Sequence, residues 1–141
     1  MNTPWHLWVV GIFAVLFNAG GAFDYVMTQT ANEAYMSQFS ADEIAWFNSF
    51  PWWVEASWAI AVWSAVVGGL LLLLRSRFAV TAFAVSLVGM AVTFIHNFLL
   101  SEPPMYDVVG QEAVWVTAVI VAVTLVFFHY SRAMGMRGVL R

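Results

Sequence analysis

Four stretches of the chain, at about 6–28, 51–74, 78–100 and 111–130, are apolar over enough consecutive positions to cross a bilayer. Such a crossing needs about 20 mostly apolar residues. The segments between them alternate in character. Residues 75–77 are too few for anything but a tight turn, and 101–110 make a short loop carrying Pro103-Pro104. Residues 29–50 form a longer loop in which Ser40-Ala41-Asp42-Glu43 has the spacing of a capping box. That spacing predicts a short helix from about Ala41 to Asn48, lying on the membrane surface with Ile44 and Phe47 toward lipid or bundle. Pro51 then suits the first turn of the second span, where a missing N–H costs little.

This pattern predicts an all-α membrane protein: one domain, 1–141, folded as an up-down four-helix transmembrane bundle. Composition agrees, since 62% of the residues are hydrophobic and only 9% charged. Too few polar residues remain to cover such a chain in water. The first span has no basic segment before it, so it reads as a retained helix rather than a cleaved signal.

Charge sets the expected orientation. All five basic residues are arginines: Arg75 and Arg77 in the tight turn, Arg132, Arg137 and Arg141 after the fourth span. Excess arginine marks the cytoplasmic side, which places both termini there. The eight acidic residues fall in the opposite loops or within a turn or two of them. A net charge of −3 and the lack of any basic stripe argue against nucleic-acid binding. The chain has no cysteine, which excludes thiolate chemistry.

Small residues predict how the spans meet. Ser57, Ala61, Ser64 and Gly68 share one face of the second span; Ala82, Ser86, Gly89, Thr93 and His96 share one of the third. Small faces allow close backbone approach in lipid. In the first span Asn18 and Tyr25 lie seven apart on one face and form a second candidate polar pair. Trp63, near mid-membrane, is expected to pack between helices.

Candidate chemistry is sparse. No phosphate-binding glycine loop, HExxH or nucleophile elbow occurs, so no catalytic residue is assigned and a non-enzyme is expected. One constellation stands out: Asp24, Glu55, His96 with its neighbour Asn97, and Glu112. Counted from Arg75, Arg77, Arg132 and Trp5, the four ionisable groups sit nineteen or twenty residues up their spans, about 28–30 Å from the inner boundary. They therefore share one level at the outer edge of the hydrocarbon, where ionisable groups facing a bundle interior are candidates for a solute or proton site. The bland alternative is interfacial anchoring, favoured for Glu55 and Glu112 by their position in helix first turns. His96 is expected to point inward and bond a carboxylate or polar group of another span. His6 and His129, near the inner face, are the only pair that could offer bis-histidine haem ligation. No metal set and no cofactor are assigned.

Several local strings resemble a known family: Asn18, Gly21, Asp24-Tyr25-Val26-Met27-Thr28-Gln29-Thr30, Asn32, Tyr35-Met36, Pro51, Trp58-Ala59-Ile60-Ala61-Val62-Trp63, the glycine-leucine run 68–75, and Ser86-Leu87. Across about residues 5–90 the chain is similar to small, uncharacterised four-span bacterial inner-membrane proteins, sometimes automatically labelled sugar transporters. The resemblance implies a multi-pass inner-membrane location, but no substrate and no site residues. Three functions remain open: a transport-type protein, oligomeric because four spans enclose little room; a non-catalytic accessory subunit of a larger membrane complex; and a metal- or haem-binding membrane protein.

Overall fold

The computed structural model describes residues 2–141. Four long helices dominate it: α1 (Trp5–Gln29), α4 (Trp52–Leu73), α5 (Phe78–Ile95, continued by a π-helical turn His96–Leu100) and α7 (Glu112–Met136). Each is long and apolar enough to cross a membrane. Three short helices, α2 (Glu33–Met36), α3 (Ala41–Asn48) and α6 (Met105–Val108), lie in the two loops at the carboxylate-bearing end. The fourth span continues to Met136, beyond the expected 130, because its last turns are anchored by packing although Gly135 lies in them. Ser131 returns its hydroxyl to the Phe127 carbonyl and Met134 is buried.

Large apolar side chains cover the outside. Val9, Ile12, Leu16, Val88, Val119 and Val126 are all exposed, a surface that suits lipid and not water. Trp63 belongs to this outer surface, edge-on to Tyr25, rather than to the interior.

The helices pack in a row, α1 on α4, α4 on α5 and α5 on α7. The α4–α5 seam is the tightest, and its cause is the pair of small-residue faces. Ser86 Oγ donates to the Ala61 carbonyl at 2.6 Å, and the Ser57 and Thr93 hydroxyls share a bond of 2.7 Å. Gly89 lies against the α4 backbone itself: an added Cβ would stand 2.8 Å from both Ala61 N and Ser57 O. Gly68 faces the Phe83 ring.

α1 and α7 close the ring only at the arginine-bearing end. There Phe127 packs against Phe13, Phe17 and Phe83, and His6 Nδ1 meets the Tyr130 hydroxyl. The main core lies in this half, built from Leu7, Ala14, Leu72, Ala79, Phe83, Phe127 and Met134, with Val139 and Leu140 of the tail folded beneath. Toward the other end the facing residues become small, Gly20 and Gly21 on α1 and Ala113 and Thr117 on α7. The same four helices therefore leave space there.

Candidate functional site

The space is a cavity of about 570 Å³, within the range of small-molecule sites. All four long helices and α3 line it. Its walls are chiefly apolar and aromatic, with Phe17, Trp46, Phe47, Phe50, Trp58 and Phe94 contributing rings. Its polar lining is Asn18, Asp24, Thr28, Thr93, Asn97, Glu112 and Thr117. Arginine and histidine are absent from it among the described residues.

Of the five residues expected at one level, Asp24, Asn97 and Glu112 line this cavity; Glu55 and His96 do not. Glu55 lies on a different face of α4 from Ser57 and Ala61 and is half-buried. His96 is buried, but between rings: Phe50 and Trp53 each stand 5.5 Å away, edge-on. Its hydrogen-bond partner is the neighbouring Asn97, Nδ1 to Oδ1 at 3.1 Å, in place of the expected partner from another span. The helical period gives the reason. Relative to Thr93, residue 96 is rotated roughly 60° one way and residue 97 roughly 40° the other, so only one can face the cavity. The π-helical turn, sealed by Ser101 N–H to the His96 carbonyl at 2.8 Å, falls at this point. Such turns recur at functional sites.

The second candidate pair also divides. Asn18 is buried at the cavity floor, where its Nδ2 donates to the Ala65 carbonyl at 3.3 Å. Tyr25 instead packs its ring on Trp58 and Trp63.

The loop of 29–50 forms the roof. Ser40 and Glu43 make the reciprocal capping box, so α3 begins where the spacing predicts. Ile44 is half-buried and Phe47 lines the cavity, but the deepest residue is Trp46. Its Nε1 donates to Ser101 Oγ at 2.8 Å and to the Pro103 carbonyl at 3.0 Å. It thereby ties the first loop to the second across the cavity mouth. The capping-box spacing marks Ile44 and Phe47 as the inward or lipid-facing residues of α3, and nothing local singles out Trp46 for this role. Gly20 and Gly21 carry no local signal in the sequence that a cavity would open beside them.

A second tie holds the roof to α1. The Tyr35 hydroxyl donates to Asp24 Oδ1. Burial, this bond and the Asp24 charge together push the Tyr35 phenol from 10.0 up to about 12, partly offset by Gln38. The neutral phenol is the form favoured in the folded state. Its contribution is complete below about pH 10 and disappears as pH rises to about 12. Unfolding followed from pH 9 to 12 should show this loss in the native sequence and a shallower decline in Tyr35→Phe. Identical profiles would remove the tie.

His6 and His129 do not form a facing pair. His6 is occupied by Tyr130, while His129 is exposed beside Phe128. Among the described residues no three His, Asp or Glu side chains converge as a metal set would.

Fold and site together define a small multi-pass membrane protein, a four-helix bundle closed at its arginine-bearing end and hollow at its carboxylate-bearing end. Compared with protein-family profiles, curated proteins and solved structures, the chain has no match.

Proposed function

We propose that this is a transport-type protein of a bacterial inner membrane whose cavity takes up an apolar or cationic amphiphile from the outer side. The observation that carries the reading is the cavity lining: aromatic walls, two carboxylates, and no cationic side chain. Ring faces and carboxylates attract a desolvated cation, and rings accept an apolar body. A sugar, which needs a hydrogen bond for nearly every hydroxyl, is poorly matched to such walls. Arginine placement puts the roofed end on the outer side, and the phenylalanine cluster closes the cavity from below. One chain already encloses the volume, so the reading needs no second copy to build the site.

The test uses tetraphenylphosphonium, an aromatic cation, with the protein in lipid nanodiscs. Saturable binding of one cation per chain is expected. Gly21→Phe should abolish it, because a Cβ at Gly21 meets nothing within 4 Å and the ring can enter the cavity without displacing a helix. Energy-dependent movement of the same cation across proteoliposomes then tests transport. If Gly21→Phe binds as the native chain does, or neither binds, the cavity is not a ligand site. The accessory-subunit reading would then lead.

A further inference from the structure

The arginine-bearing end holds a second, smaller cleft of about 210 Å³, lined by Asn2, Thr3, Arg75, Gly138, Val139 and Arg141. Its construction begins with two helix ends. α7 stops at Gly138 in the left-handed conformation, with Val139 N–H returned to the Met134 carbonyl. The tail then passes back under the bundle. Arg141 N–H donates to the Arg75 carbonyl at 2.7 Å and Arg77 N–H to the Arg141 carbonyl at 2.9 Å. This pairing uses the main chain of Arg141 and leaves its guanidinium unengaged by it, and Arg141 lines the cleft.

α4 ends in the same kind of turn, but its left-handed position is Arg75, with φ of 55°. Glycine adopts that conformation without the Cβ penalty that any other residue meets there. The chain nevertheless places an arginine at it. Arg75 Nη1 donates to Thr3 Oγ1 at 2.7 Å, which holds the guanidinium in the cleft; among the described residues its side chain makes no other hydrogen bond. All eight Asp and Glu side chains belong to the opposite end, and none of them lines the cleft.

We propose that this cleft binds a phosphate group, with the Arg75 and Arg141 guanidiniums as paired donors and Thr3 and Asn2 as neutral ones. Paired guanidiniums match phosphate oxygens in geometry as well as charge. The exposed Trp5 on the adjoining turn of α1 suits headgroup depth. The phosphate could belong to an anionic phospholipid or to a soluble phosphate compound. Basic clefts at this face of a bundle take lipid headgroups in other membrane proteins.

The test measures thermal unfolding of the full chain in detergent with added phosphatidylglycerol, phosphatidylcholine or inorganic phosphate. A saturable rise in Tm with phosphatidylglycerol alone assigns the site to lipid; an equal rise with inorganic phosphate assigns it to a soluble anion. Three variants decide whether the cleft is responsible. Arg75→Gly relieves the backbone while removing the guanidinium, so it should fold at least as well as the native chain and bind about fivefold more weakly. Arg141→Gln should weaken binding similarly. Arg132→Gln makes the same charge change outside the cleft and should leave binding unchanged. Equal loss in all three, or no Tm response to any phosphate, would overturn the proposal. Helical circular dichroism equal to that of the native chain serves as the independent control on folding of each variant.

Discussion

Gly89→Leu should prevent the protein from folding, while Val88→Leu, one residue away, should leave it unchanged. The difference lies in what each side chain meets. An added Cβ at Gly89 would stand 2.8 Å from Ala61 N, 2.8 Å from Ser57 O and 3.1 Å from Ala61 Cα. All three are backbone atoms of α4, which no rotamer change can move aside. The helices must part, and the Ser57–Thr93 and Ser86–Ala61 hydrogen bonds part with them. Overpacking of this kind costs about 1–3 kcal/mol even for small insertions. Alanine's better helix propensity offsets only about 1 kcal/mol of that at Gly89→Ala, and leucine adds further bulk. Val88 is 66% exposed on the outer face. Gly20→Ala gives the opposite sign: nothing lies within 4 Å of its Cβ, so a gain of about 0.5–1 kcal/mol is expected. Reversible unfolding in mixed detergent micelles measures the series. Equal stability across it would mean that α4 and α5 do not meet along this face.

Trp46→Ala should release the roof of the cavity. Trp46 is 5% exposed, packs edge-on against Phe47 and Phe50, and bonds both Ser101 and Pro103 of the other loop. Truncating a buried tryptophan costs about 3–5 kcal/mol. Here the cost falls on the anchoring of α3 and not on the distant phenylalanine core. The expected result is loss of amide-exchange protection over Ala41–Asn48 and weaker tetraphenylphosphonium binding, with the four long helices still folded. Trp46→Phe keeps a ring but loses the donor, and should cost about 1 kcal/mol. Unchanged exchange in Trp46→Ala would show that the loops are held by something other than this side chain.

Much of the fold was legible because membrane helices announce themselves by local properties. Apolar runs of the right length gave all four spans, and a capping box gave α3 to the residue. The α4–α5 seam was also readable, since Ser57, Ala61 and Gly68 need only a helical period to share a face with one another. Its partner residues on α5 follow the same arithmetic as far as Thr93. Beyond Thr93 the same arithmetic sends His96 and Asn97 to opposite sides of the stripe, and only the packing of α5 decides which of them meets the cavity, at the start of the π-helical turn.

What the sequence by itself determined is thus the number of spans, the place of α3 and the faces that can approach closely. Each depends on residues within a turn or two of one another. The cavity, the assignment of Asp24, Asn97 and Glu112 to it, and the position of Trp46 across its mouth were decided only by tertiary structure. A hollow arises where bulky side chains from different helices fail to meet. Phe13, Phe17, Phe83 and Phe127 converge at one level, whereas Gly20, Gly21, Ala113 and Thr117 leave a gap at another. Whether two such levels coincide depends on the relative heights and rotations of helices far apart in the chain, and no local periodicity carries that information.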